Sequence, residues 1–412
     1  VPPPSSPGIA KIFAPAVIAC LVVGLIWVNG SRPDRSGGFR IPDWLWWIIA
    51  LMILTITWQG SRIAFNKETG EVFFLLSRIL GCGFLVVFTG HLARRQDLVL
   101  RVLHSFFWGM LVLSALIIFI GFTGLNLFGD LRPPRTLGVQ MPFHKTSGVL
   151  RSYGELGIMF SIAWAYFLAY RGKYPVWLQC ATVPVMLLAV VIAQSRNIYL
   201  AITFITAVHF VLPFLKLRPV KIALIFVAIL MPAIVDTALP TLSKLAFGRA
   251  LIGAERFEMN VHSRGEQREI ANDLIAEDPV RATAGMSHQE WLDNMGRVTG
   301  YDPVMLHNHF YSLMLFMGLA AGLVTIVGLY LVPGIVLAKR ANGGNRLSRT
   351  VFVALLGGYS SLGFYEGWFS TAFLLLLSLI WILAFSRPNR PSGAAGVPPW
   401  ARSRRDLSYA SS

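Results

Sequence analysis

The chain has 412 residues, of which 55% are hydrophobic and 14% charged, with a mean hydropathy of +0.61. Soluble domains carry roughly 25% charged residues, so the deficit excludes a soluble globular enzyme and predicts an all-α polytopic membrane protein. The net charge of +16 has two readings, inner loops rich in Lys and Arg or basic groups that attract phosphate-bearing ligands; nucleic acid is excluded as a partner, since no soluble basic domain is present to hold it.

In chain order, the opening Val1-Pro2-Pro3-Pro4 reads as an arm ahead of the first apolar run, Ile12 to Val28. Its first residue is not Met, and no signal-peptide cleavage pattern follows, so this run is kept as a helix. Further apolar runs cover about 43–60, 72–92, 98–124, 154–170, 175–194, 198–215, 219–239, 309–338, 349–365 and 369–386. The expectation is about 11 transmembrane helices, within a range of 10–12, with a large, partly helical loop between the eighth and ninth. The chain then divides into membrane helices over 1–239, a loop over 240–308, membrane helices over 309–386 and a disordered, Arg-rich tail over 387–412. Cys20, Cys82 and Cys180 lie in apolar runs without Cys-x-x-Cys spacing and read as packing residues.

Alternation of short loops gives an orientation. With the tail inside, Lys339, Arg340, Arg346 and Arg349 fall inside, as do Lys216, Arg218 and Lys221, Arg171 and Lys173, and Arg94 and Arg95. The loop 240–308 then falls outside, with 125–152, the Ser195-Arg196-Asn197 turn and Gly363 to Trp368. An odd number of spans leaves the N-terminus outside, and one further or miscounted helix would reverse that. Long loops cross a bilayer regardless of charge, but Arg151 and Arg196 stand at the mouths of apolar runs. A cation there either snorkels to headgroups or holds an anionic ligand.

Four outer segments carry groups capable of chemistry. Gly148 to Gly157 contains Arg151 and Glu155 and enters a helix, whose first N–H groups suit phosphate oxygens. Ser195-Arg196-Asn197 is a tight turn. Between Ser263 and Pro279, Ile270, Ala271, Leu274 and Ile275 recur at helical spacing, with Arg264 and Arg268 one turn apart; a solvated charged face would show the same pattern. The fourth segment is Leu306-His307-Asn308-His309-Phe310-Tyr311, followed by Gly318 and Gly322. A metal site is not expected, because residues two apart point away from each other on a helix and no Cys or acidic cluster adjoins. A histidine beside arginines at a helix mouth suits an acid–base role, and a capping or interfacial histidine is the plain alternative.

Taken together the segments resemble the bacterial O-antigen ligase and polymerase family. That family has a His-Asn-x-(Tyr/Phe) motif opening a helix after a large loop, with Gly-Leu eleven residues on; here these are His307, Asn308, Phe310 and Gly318-Leu319. Its loop has an Arg followed fifteen residues on by Pro, matched by Arg264 and Pro279 with Ala271 and Ile275 between them. Ser195-Arg196 matches its Ser-Arg turn, Gly148 to Gly157 its glycine-containing helix start, and Phe364-Tyr365-Glu366-Gly367-Trp368 its acidic outer turn. Departures are Arg268 where the family has Trp, Ala282-Thr283-Ala284 where it has Gly-x-Gly, and Gly322 four rather than three residues after Gly318. The likeness covers residues 145–385.

The resemblance implies a metal-independent, inverting glycosyltransferase of the bacterial inner membrane, active on the periplasmic face and without a cofactor. Its donor is a glycan on undecaprenyl pyrophosphate, and its acceptor a sugar hydroxyl on lipid A-core for a ligase or on another lipid-linked glycan for a polymerase. Membrane lipids surround it. The implied roles are base or orienting group for His307 with Asn308, pyrophosphate binding for Arg151, Arg196 and Arg264, and acceptor or supporting contacts for Arg268, Glu155 and Glu366. The rival class is a lipid-linked-glycan flippase or other transporter, which needs polar groups through the bilayer midplane; Asp236 is the one acidic candidate near a span.

Overall fold

The computed structural model describes residues 96–125, 142–148, 153–215, 217–243, 269–286, 290–294, 308–341, 345–363 and 371–385, with a few isolated positions besides. The expected spans at 12–28, 43–60 and 72–92, the segment 244–266 and the tail lie outside these residues.

The described residues are all-helical, as expected. The runs beginning near 98, 154, 175, 198, 219, 349 and 369 are helices α1 (Gln96–Thr123), α2 (Tyr153–Tyr170), α3 (Val176–Ala193), α4 (Arg196–Val211), α5 (Arg218–Ser243), α9 (Arg346–Leu362) and α10 (Thr371–Phe385). Between α5 and α9 lie a short α6 (Pro279–Ala284), α7 (His309–Met317) and α8 (Leu319–Ala341). Among the described residues three helices are long and apolar enough to cross a membrane, Leu98–Thr123, Val176–Ala193 and Leu319–Ala341, and Asn197–Val211 and Phe373–Phe385 are shorter apolar helices. The chain is a multi-pass membrane protein on this showing. Cys180, expected to be a packing residue, is exposed on α3, as suits a small apolar side chain on a lipid-facing surface.

One expected span is corrected. The run 309–338 is not a single helix, because it breaks at Gly318, where φ is +83° and ψ 156°. Hydropathy cannot register this break, since both sides are apolar. The two helices fold back as a tight hairpin: a Cβ on Gly322 would sit 2.5 Å from the Met314 Cα, and Phe310 at the start of α7 packs on Tyr330, midway along α8. At about 1.5 Å per residue α7 is roughly 13 Å long, too short to span ~30 Å of hydrocarbon. It lies instead beside one half of α8. A π-helical turn over Val327–Leu331 interrupts α8 where it carries Tyr330, a device that re-aims a side chain within a continuous helix.

The core is built around α2, whose residues from Leu156 to Leu168 are almost all buried. It packs on α4 and α9 through small residues, which let helix backbones approach where lipid supplies no hydrophobic drive. Gly357 of α9 faces Ile205 and Ser161, and Gly358 faces Leu376. A second cluster lies apart: Ile270, Ala271 and Leu274 pack with Met286, Trp291, Leu315 and Phe316. The expected amphipathic stretch before Pro279 is therefore a helix over 269–277, with its apolar face on α7.

The basic turns gather at one end of the bundle. Arg346 donates to the Ala169 carbonyl at the end of α2, and Arg340 donates to Leu383 near the end of α10 at 2.7 Å. Arg171, Arg346 and Arg349 line one cavity there. This is the arrangement that the loop alternation predicts.

Candidate functional site at the opposite end

The opposite end holds the starts of α2 and α4 and the end of α9. Gln194 closes α3 in the left-handed region, with φ 46° and ψ 44°, a conformation few side chains adopt. It turns the chain so that Ser195 is extended and Arg196 is the first residue of α4. Ser195 does not cap α4; its hydroxyl donates to Asn197 Oδ1. Asn197 Nδ2 in turn donates to the Tyr153 carbonyl at 3.1 Å. The Ser-Arg turn is thereby bonded to the first residue of α2, two positions after Arg151.

Gly157 brings a third element to the same place. A Cβ there would stand 2.8 Å from Asn197 Nδ2 and 2.8 Å from Ser361 Oγ, so only glycine leaves room for both. Ser361 is on the last turn of α9, five residues before Glu366 in sequence. The glycine-containing start of α2, the Ser-Arg turn and the end of α9 thus meet within a few ångströms.

The His-Asn segment joins through aromatic rings. Asn308 is the N-cap of α7, its Oδ1 accepting from the Tyr311 N–H at 3.0 Å. His309 is buried, hydrogen-bonded through Nε2 to the Tyr330 hydroxyl, and packed on Phe310 and Phe373. The Tyr359 hydroxyl donates to the Tyr330 carbonyl at 3.0 Å, and Tyr359 lies two residues before Ser361 on α9. Counting along α8 at about 1.5 Å per residue, Tyr330 lies roughly 18 Å from Gly318. The Asn308 end of α7 is therefore recessed within the bundle rather than at its rim, where the sequence would place it.

The helix over 269–277 is fastened to α7 from the other side. The Tyr311 hydroxyl donates to Asn272 Oδ1, and the Met286 N–H donates to the Leu315 carbonyl at 3.1 Å. Gly285 and Gly318, both with positive φ, let the two chains touch: a Cβ at Gly285 would fall 2.3 Å from the Phe316 carbonyl oxygen, and one at Gly318 would fall 2.1 Å from that of Thr283. Gly285 directly follows Ala282-Thr283-Ala284, the stretch that departs from Gly-x-Gly, and its backbone contact gives it a concrete role.

Of the eight site residues expected, Arg151, Arg264, Arg268, His307 and Glu366 lie outside the described residues. Arg196 is placed by its backbone at the head of α4. Glu155 is half-buried in the first turn of α2. Asn308 spends its carbonyl oxygen on the helix cap, which fixes the backbone just after His307. The structure also presents a cation that the arginine-centred reading passed over: Lys145 is 4% exposed, with Nζ 4.1 Å above the centre of the Tyr153 ring. The available signal was its position three residues before Gly148, just ahead of the glycine-containing segment.

No protein-family model, curated protein or solved structure matches the chain.

Proposed function

We propose that the protein is a glycosyltransferase that moves a glycan from undecaprenyl pyrophosphate to a sugar hydroxyl on the outer face of the inner membrane, most closely an O-antigen ligase acting on lipid A-core. The observation that supports this is that the start of α2, the Ser-Arg turn and the end of α9, far apart in sequence, meet through Gly157, Asn197 and Ser361, while the helix over 269–277 is fastened to α7 just after Asn308. The start of α2, the Ser-Arg turn, the 269–277 helix and the start of α7 belong to segments on which the family resemblance rests.

In this reading the acceptor hydroxyl attacks the anomeric carbon from the face opposite the leaving group. Its proton passes to His307 as the new C–O bond forms, and the bond from the anomeric carbon to the pyrophosphate oxygen breaks with inversion. Undecaprenyl pyrophosphate departs as an anion, and Arg151, Arg196 and Arg264 take up the charge through forked hydrogen bonds. The cap at Asn308, the residue after His307 in sequence, fixes the start of α7. The tie from Asn197 to Tyr153 holds the head of α4, where Arg196 stands, against the first residue of α2, two positions after Arg151 in sequence.

The glycan profile of a deletion strain tests this. A ligase predicts lipid A-core without long chains, together with accumulated lipid-linked polymer, restored by the wild-type gene and not by His307→Ala. Core capped by single repeat units would assign the polymerase reaction instead. An unchanged profile would remove the proposal.

A further inference from the structure

The opposite end of the bundle holds a second feature that glycosyl transfer does not use. A cavity of about 420 Å³ is lined by Arg171, His209, Arg346, Arg349, Thr350 and Gln179, among others, with no carboxylate among the described residues of its lining. Arg346 and Arg349 share the first turn of α9, and tertiary packing brings Arg171, from the turn after α2, and His209 of α4 to them. All three guanidinium charges bear on the His209 ring.

The positions are partly fixed in advance. Arg346 donates to the Ala169 carbonyl and lies 4.8 Å from the centre of the Tyr170 ring. Arg171 stands 6.0 Å from the Phe210 ring. Gln179 is held by a 2.8 Å bond to the Tyr174 carbonyl. Three like charges converging on one cavity repel each other, and a bound anion relieves that cost. Loop basicity by itself needs no shared cavity, since each charge could face water separately.

The surroundings select among anions. Phe210 is 50% exposed, Val211 48% and Phe214 81%. Phe210 lies against the cavity residue Arg171, so exposed apolar surface adjoins the cavity. We propose that the cavity binds the headgroup phosphate of an anionic phospholipid, with Arg171, Arg346 and Arg349 on the phosphate oxygens and the Phe210–Phe214 surface along the acyl chains. Basic pockets between membrane helices take such headgroups by the same combination of charge and apolar contact. The proposal does not rest on the glycosyl-transfer reading.

The test uses the full-length protein in nanodiscs of phosphatidylcholine with increasing phosphatidylglycerol, and native mass spectrometry to count lipid retained after gentle delipidation. Wild type is expected to retain phosphatidylglycerol selectively. In R171Q/R349Q that retention should fall roughly tenfold or more, while phosphatidylcholine retention stays the same. If the double variant does not fold, R171Q alone serves, because Arg171 is exposed, and a several-fold loss is expected. Equal phosphatidylglycerol retention by wild type and variant overturns the proposal. So does stabilisation of lipid-free protein by inorganic pyrophosphate, lost in the variant, without any preference for phosphatidylglycerol, since the site would then belong to a free phosphate compound.

Discussion

The side-chain amide of Asn197 donates to the Tyr153 carbonyl at 3.1 Å, across 44 residues of sequence. Because Arg196 is the neighbouring residue and heads α4, this one bond sets where an otherwise cantilevered arginine begins. Asn197→Ala removes the bond at a cost of about 1 kcal/mol, a small change in thermal midpoint. Misplacing a charge-stabilising group by about 1 Å can cost as much as 10²-fold in rate. Glycan transfer by Asn197→Ala is therefore expected to fall 10- to 100-fold while the midpoint moves only a few degrees. Loss of activity no greater than the loss of folded protein would leave Asn197 a packing residue alone.

The contact between Gly318 and Thr283 makes a separate prediction about stability. Alanine at 318 must adopt φ near +83° with ψ 156°, a region essentially confined to glycine, at roughly 1–3 kcal/mol. Its Cβ must also displace a backbone carbonyl rather than a flexible side chain, which adds about 1–3 kcal/mol. Gly318→Ala should therefore loosen the Pro279–Ala284 helix from α7. Trypsin cleavage after Arg281 reads this directly, and it should become markedly faster in the variant. Gly285→Ala should behave alike, because its Cβ meets the Phe316 carbonyl from the other side of the same contact.

These two cases show how far the sequence is legible. Apolar runs near twenty residues mark helices well, since each must bury its backbone hydrogen bonds internally, and seven of the expected runs are helices at nearly the expected bounds. The hairpin at Gly318 is not legible, because a break between two apolar helices leaves hydropathy unchanged. It depends on a carbonyl of Thr283 arriving from 35 positions earlier in the numbering, a contact of tertiary origin. Within the site, Ser195-Arg196-Asn197 is marked by polar residues between apolar runs. The partner of Asn197 is a main-chain carbonyl, which carries no sequence signature at all. Lys145 is likewise invisible as a buried group until Tyr153 is seen beneath it.

Two histidines two positions apart are expected to have unequal roles. His309 is 1% exposed in a ring of Phe310, Tyr330 and Phe373, where its Nε2 meets a tyrosine hydroxyl. Phenylalanine preserves that aromatic packing and gives up one hydrogen bond, a loss of about 1 kcal/mol. His309→Phe should keep transfer within a few-fold of wild type. His307→Ala should lose the general-base contribution, roughly 10²–10⁴-fold, with an unchanged thermal midpoint. The reverse pattern, an inactive but folded His309→Phe beside an active His307→Ala, would move the base to His309.

Lys145 gives the last test, on the electrostatics of the donor site. Its ammonium is buried against the face of Tyr153, the residue whose carbonyl also receives the Asn197 bond. A cation held there is close in the chain to Arg151 and is oriented before any ligand arrives. If it contributes to the pyrophosphate, its loss removes a charge-assisted contact of about 1.5–3 kcal/mol. Lys145→Met keeps the apolar stem while deleting the charge. The expected result is a rise of 10- to 100-fold in KM for the lipid-linked donor, with kcat and the KM for the acceptor little altered. A fall in thermal midpoint with both KM values unchanged would instead make the Lys145–Tyr153 contact a structural brace for the start of α2.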